Sequence, residues 1–321
     1  MHVSVLVPTY LRHRDLARCL AALRVQRRVP DAVLVTLRPE DEASRALTDE
    51  LASSWPALRA VPVTQGGVVA AMNAALDVAA GDVLALTDDD AEPLEDWLER
   101  IVATLVLESG VAGVRGRDEQ IAAQGANLRV GQVQWFGRTI GNHHRGVGPA
   151  RDVDVLKGVN CVFRLPLLRA ARFDERLRGA GAQVHWELSL CLALRRAGWR
   201  LVYDPAIRVR HHLGVRHDED QLHRGRFDVA PHADAVFNET LVLGEHLPAS
   251  GRAALALWSA MVGTSEEPGL LQLPRVLVSE GRVAFRRWRA TQRARREDLR
   301  EARRIRESGA RHVIIPPPPA P

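Results

Sequence analysis

Four short apolar runs, each followed by a stretch of helical spacing, open this chain and leave few architectures available to it. Val3–Val7 is stopped by Pro8, and behind Asp15 the residues Leu16, Cys19, Leu20 and Leu23 recur at helical spacing. Ala32–Leu37 reads as a second strand, with a helical stretch over Arg45–Leu51. Ala60–Val63 reads as a third, followed after Gly66-Gly67 by an Ala-rich helix over Val68–Ala80, and Val83–Leu86 as a fourth. Pro93 suits the first turn of a helix whose Leu94, Trp97, Leu98, Ile101, Val102 and Leu105 form one stripe. Such alternation implies a doubly wound, mostly parallel α/β sheet. Ligands of these sheets bind outside the carboxyl ends of the strands. Here those positions hold Thr9-Tyr10, Arg38 and the acidic run Asp88-Asp89-Asp90.

Three adjacent carboxylates at the end of a buried strand repel each other and are costly to desolvate unless a cation offsets them. Asp88 and Asp90 are two apart, so in an extended segment they share a side and can clamp one hard divalent ion. Taken alone, the run reads first as a solvated acidic turn capping the helix that follows, and only the flanking sequence turns it toward metal binding.

The pattern loosens over 111–150, which is Gly-rich and carries Trp135, His143 and His144. Further strands are expected within Val153–Phe163, around Lys157-Gly158-Val159-Asn160, then a helix over His185–Ala197 that stops at Gly198. Leu201–Tyr203 and Ile207–Val209 read as short strands leading into His211-His212. Asn238–Leu273 reads as helical, Arg282–Arg306 as a highly basic helix, and Pro316–Pro321 as a proline-rich, disordered tail.

At 321 residues, 46% hydrophobic and 26% charged, the composition suits a globular chain with a sizeable core. No apolar run approaches the roughly 20 residues that span a bilayer, and the N-terminus enters a strand without a basic-then-apolar leader. Cys19, Cys161 and Cys191 are widely spaced in apolar surroundings and read as reduced core residues rather than a metal set. The net charge of +5 rests almost wholly on arginine, since Lys157 is the only lysine.

In their order, several motifs resemble the inverting family 2 glycosyltransferases of GT-A fold, in a bacterial setting. They are Val5-Leu6-Val7-Pro8-Thr9-Tyr10, Asn73 within Ala70–Ala75, Gly81-Asp82, Asp88-Asp89-Asp90, Lys157-Gly158-Val159-Asn160, His185-Trp186-Glu187-Leu188 and Leu194–Pro205. The resemblance covers about residues 3–215. It implies a GT-A catalytic domain over 1–215, a helical, basic C-terminal extension over 216–309 and a tail over 310–321.

By that resemblance the acidic run is a DXD motif holding Mg²⁺ or Mn²⁺ on the diphosphate of a nucleoside-diphosphate-sugar donor. Asp90 is then the direct ligand, Asp88 faces the ribose or the metal, and His211, after a late strand, completes the shell. Glu187 aligns with the catalytic base, although Trp186 and Ser189 depart from the family's usual acidic neighbours. Pro8, Thr9, Tyr10, Arg38, Asn73, Asp88, Asp89, Arg117, Asp118 and Asn160 are the expected donor contacts. The family's second strand ordinarily ends in acids that read the base. Here it ends Thr36-Leu37-Arg38, and Asp41 is a candidate cap for the next helix. A nucleotidyltransferase would show a Gly-rich loop after the first strand, and Thr9–Arg14 has no glycine.

The acceptor implied is a saccharide or lipid-linked hydroxyl in cell-surface polysaccharide or glycolipid synthesis, at a cytoplasmic location. Arg286, Arg287, Arg289, Arg293, Arg295 and Arg296, near Phe285 and Trp288, suit either a solvated helix or peripheral contact with the inner face of the plasma membrane. No nucleic-acid module is recognisable.

Overall fold

The computed structural model describes residues 1–120, 125–215, 217, 227–308 and 314–319. In chain order its first part is β1 (Val3–Pro8), α1 (His13–Arg24), β2 (Ala32–Leu37), α2 (Glu42–Ala52), β3 (Leu58–Pro62), α3 (Val68–Val78) and β4 (Val83–Thr87). Then come β5 (Ala91–Pro93), α4 (Trp97–Leu107), β6 (Val111–Glu119), β7 (Gln132–Val133), β8 (Thr139–Ile140), β9 (Arg151–Asp152), β10 (Asn160–Arg164) and α5 (Leu165–Ala171). The chain continues through α6 (Trp186–Arg196), β11 (Arg200–His211), α7 (Val229–His246), α8 (Ala249–Met261), α9 (Leu273–Glu280) and α10 (Arg282–Glu307).

Nine strands form one sheet in the order β3-β2-β1-β4-β10-β6-β11-β5, with β9 on β11. β1 pairs in parallel with both β2 and β4, while β10 runs antiparallel between β4 and β6. Strand alternation splits the core cleanly into two layers. Val5, Val33 and Ala85 point to one face with α1 and α4, while Leu6, Leu34 and Leu84 point to the other with α3, α5 and α6. Strands buried on both faces explain why their sequences are continuously apolar rather than alternating. The chain turns from β3 back across to β4 beside β1, so the β1/β4 crevice is the topological switch point.

Several expected elements are redrawn. Pro93 ends an edge strand instead of opening a helix: β5 pairs antiparallel with β11, and α4 starts after Asp96. A proline fits there because an edge strand leaves one row of amides unneeded. β6, lost in the loosened region, is a central strand, and the two short strands before His211 are one strand with a register shift between Tyr203 and Arg208. Only β10 forms within 153–163, and the long helical stretch divides at Pro248 into α7 and α8 and ends at Met261.

α7 adds Phe237, Leu241, Val242 and Leu243 to the core layer that holds α3 and α6. The tail is corrected over 314–319. Trp199 Nε1 donates to the Pro316 carbonyl at 2.7 Å, and Ile315 packs on the core. The remaining tail positions and the expected boundary at 216 lie outside the described residues.

Candidate active site

A cleft of about 230 Å³ opens at the carboxyl ends of β1, β2 and β4, and its far wall is the loop before β10 together with the start of α6. Pro8, Thr9, Tyr10, Arg38, Asp88 and Glu187 line it, as the sequence led us to expect; Arg12, Lys157, Gly158, Val159 and Trp186 join them. Among the described residues lining it, the only carboxylates are Asp88 and Glu187.

The acidic run divides its labour by depth. Asp89 is fully buried, accepts from Thr9 Oγ1 at 2.7 Å and from Arg12 Nε at 3.0 Å, and so anchors the turn instead of touching a donor. Burial pushes its carboxyl up to about 7, against the pull of Arg12. Asp90 Oδ2 accepts from Arg12 Nη1 at 3.1 Å and from the Gly214 amide at 2.8 Å, and its Oδ1 lies 3.2 Å from His211 Nε2. Burial alone would raise the Asp90 pKa, but His211, Arg12 and the Gly214 amide outweigh it and hold the carboxyl below the usual range.

Asp88, Asp90 and His211 each bring a ligand atom to within 4.8 Å of the others. The antiparallel pairing of His211 with Ala91 is what sets this late residue beside Asp90. Burial disfavours the His211 cation, but its hydrogen bonds to the Asp118 and Asp90 carboxylates hold it at about 9, so a metal binding here displaces a proton. Two hard oxygens and one imidazole form a donor set compatible with a divalent first-row ion.

Four expected donor contacts are turned to structural work, and a fifth lies off the cleft. Asn73 is buried, donates to the Phe173 carbonyl at 3.1 Å and to Glu175 at 3.0 Å, and accepts the Phe173 amide at 3.1 Å, tying α3 to the loop after α5. Asn160 is fully buried: it accepts from Trp97 Nε1 at 2.7 Å and donates to the Arg117 carbonyl at 3.2 Å. Both amides spend their hydrogen-bonding capacity on the protein, as buried amides must. Asp89 anchors, as above. Asp118 pairs with Arg115 at 2.7 Å, not with Arg117, and its other oxygen lies 3.8 Å from His211 Nδ1. Arg117 is half-buried and does not line the cleft.

Glu187 sits in the first turn of α6, behind His185 at φ +78°. Its Oε1 accepts from the Gly158 amide at 3.0 Å. That amide is placed in turn by Arg115, whose Nε donates to the Lys157 carbonyl at 2.6 Å. Val159 carries φ +72°, a genuine backbone outlier for a β-branched residue, in the same loop. At the opposite end of the cleft the Arg38 guanidinium lies 4.2 Å over the Tyr10 ring and donates to the Ala180 carbonyl at 3.2 Å. Asp41 does cap α2, accepting from the Ser44 amide at 3.1 Å.

Arg12 and Arg115 were missed in the sequence reading. Arg12 stands just after a strand exit, where a cation is the natural partner for the acids at the neighbouring exit; that signal was available. Arg115 lay in an unrecognised strand, so nothing placed it near Asp118.

Residues 4–135 match the family model "Glycosyl transferase family 2". A curated relative, glycosyltransferase AglE of Haloferax volcanii, is 29% identical over 120 residues, which is 36% of this chain and 39% of that protein. Among solved structures, Staphylococcus aureus TarS 1-349 in complex with UDP-GlcNAc is 14% identical with a TM-score of 0.57, covering 96% of this chain and 92% of that one. The mannosyltransferase PcManGT of Pyrobaculum calidifontis, in complex with GDP-Man and Mn²⁺, is 18% identical with a TM-score of 0.51, covering 96% and 79%. GalNAc-T7 with UDP, GalNAc and Mn²⁺ is 14% identical with a TM-score of 0.58, covering 76% and 48%. At these identities the structural likeness speaks to the fold, which is GT-A. Residues 4–135 of this chain are thus similar in sequence to the family 2 glycosyl transferases, and the whole chain shares the GT-A fold.

Proposed function

We propose that this protein is a metal-dependent, inverting glycosyltransferase that moves a hexosyl or deoxyhexosyl group from a nucleoside-diphosphate sugar to an acceptor hydroxyl. One observation carries the reading: Asp88, from the β4 exit, and Glu187, from the start of α6, are the two carboxylates facing a single cleft at the switch point of the sheet. Asp88, Asp90 and His211 would hold Mn²⁺ or Mg²⁺, which would supply positive charge against the departing diphosphate. Complexes of the structural neighbours with UDP-GlcNAc, and with GDP-Man and Mn²⁺, support the same donor class.

In the transfer, Glu187 accepts the proton of the acceptor hydroxyl as that oxygen bonds to the anomeric carbon. The bond from the anomeric carbon to the diphosphate oxygen breaks on the opposite face, and the diphosphate leaves with the electron pair. Arg12 and Lys157 add positive charge along the donor's path, and Tyr10 with Arg38 borders the base. Among the described residues lining the cleft, the one carboxylate besides Glu187 is Asp88, which belongs to the metal set, so single displacement is the simplest route. A saccharide or lipid-linked acceptor in cell-surface polymer synthesis, reached from the cytoplasmic side, fits this chemistry.

Thermal-shift screening of nucleoside diphosphates and their sugars tests the reading, because a ligand that binds only the folded state raises its stability. We expect a shift that needs both Mn²⁺ and one nucleotide. No shift with any nucleotide, with or without metal, would sink the assignment.

A further inference from the structure

The basic helix α10 buries Ala284, Thr291, Ala294 and Ala302 where it packs on α7 and α9, and leaves Val283, Phe285 and Leu299 exposed. It also shows a charged stripe to solvent. Arg282, Arg286, Arg289, Arg293, Arg296 and Arg300 are all exposed and follow each other at intervals of four and three, which keeps them on one face. At 1.5 Å per residue the stripe runs about 27 Å. Among the described residues, only Arg293 of the six forms an ion pair, with Glu297 at 3.0 Å. Among the described residues, Glu280 pairs with the buried Arg287 at 2.8 Å, Glu267 with Arg295 and Glu301 with Arg178, while Glu266 is exposed.

Leading into the stripe is a second feature. Val278 on α9 is 90% exposed, Leu271 67% and Leu257 68%, with Leu270 also exposed. The Leu270 and Leu271 amides donate to the Ala260 and Met261 carbonyls at 2.9 and 2.8 Å, which lays them beside the last turn of α8, one turn from Leu257. Gly281, at φ +59°, then turns α9 into α10. Exposed large apolar side chains on the elements that precede such a stripe, together with Val283 and Phe285 at its start, mark an interaction surface.

We infer that this α8–α10 surface docks on an anionic lipid bilayer, with the arginine stripe on the headgroups and Leu257, Leu271 and Val278 entering the interface. A bilayer offers both kinds of contact, whereas a nucleic-acid backbone answers the arginines and leaves the leucines and Val278 in water. The surface shares no residue with the cleft and stands whether or not the proposed transfer is right. It would hold the enzyme against a lipid-linked acceptor.

Flotation of the full chain with phosphatidylcholine vesicles, with and without phosphatidylglycerol, tests this. The wild type is expected to float with the anionic vesicles only and to be released at high salt, where the screening length falls to a few ångström. Reversing three stripe charges, R282E/R286E/R289E, should weaken binding about a hundredfold at about 1 kcal/mol per residue. L271D/V278D should also detach, with melting temperature unchanged in both variants. Three results would overturn the inference: equal flotation on neutral vesicles, wild-type flotation of the charge-reversed variant, or tighter binding to an oligonucleotide than to the vesicles. Loss of a dimer in L271D/V278D without loss of flotation would reassign the apolar group to self-association.

Discussion

The two walls of the cleft are built on opposite principles. On the wall formed by β1 and β4, charge is locked in place: Arg12 reaches both Asp89 and Asp90, Thr9 closes on Asp89, and the Gly214 amide closes on Asp90. On the facing wall, the Glu187 carboxylate is held by one amide, that of Gly158, at the start of a helix. A group that must present a fixed charge gains from over-determination, whereas a group that must pick up and release a proton needs a free oxygen and room to turn. Between the walls runs a shared support. Arg115 holds the Lys157-Gly158 backbone under Glu187, and its partner Asp118 faces His211 beside Asp90.

The contrast can be broken from either side. Glu187→Gln should lower turnover by about a thousandfold while leaving nucleotide affinity intact, the ordinary size of a lost general base. Single-turnover assays beside calorimetric titration of the nucleotide measure both, and near-wild-type turnover would remove Glu187 from the chemistry. On the other wall, Arg12→Ala leaves Asp89 buried without its cation and should cost about 3 kcal/mol of stability, read by urea unfolding. A loss as small as that of a surface ion pair would mean the wall is not locked.

Asp90→Asn should abolish the Mn²⁺-dependent part of any nucleotide-induced thermal shift, and chelation should do the same to the wild type. A metal response that survives the substitution would place the ion elsewhere. The smallest effect tests the periphery. Trp199→Phe deletes the hydrogen bond to the Pro316 carbonyl and should cost about 1 kcal/mol in the same unfolding experiment, without changing turnover.

Much of the first wall was legible in the linear chain because it depends on local physics. Apolar runs ended by Pro8 or by the Asp88 run, with helical stripes between them, specify strands, crossovers and therefore strand exits. Residues just past those exits, Thr9, Tyr10, Arg38 and Asp88, do meet in the cleft. Asn73 and Asn160 misled because polarity near a motif says nothing about which way a side chain faces. Each is buried, and a buried amide is satisfied by whatever backbone lies nearest. β6 was obscured because its Gly113, Arg115, Gly116 and Arg117 interrupt the apolar pattern, although its burial is nearly complete. Gly116 is required there, since a Cβ would lie 2.0 Å from the Ile207 carbonyl oxygen.

The helical extension behaved similarly. Arginine spacing along 282–300 is visible in the sequence, but whether the apolar side of that helix is free was not. α7 packs on the side that holds Ala284, Thr291 and Ala294, while Val283, Phe285 and Leu299 stay exposed, and further exposed apolar residues lie on α8, the segment after it and α9.

What the sequence determined alone was the alternation of strands and helices, hence the sheet's winding and the place where its ligands gather, because periodicity and chain connectivity are properties of neighbouring residues. Tertiary structure decided the assembly of parts remote along the chain. His211 reaches Asp90 because β11 pairs with β5, and Glu187 meets the Gly158 amide because α6 packs beside a loop whose backbone Arg115 holds. Such placements follow from strand register and from satisfying buried charge, neither of which is written in any single stretch of residues.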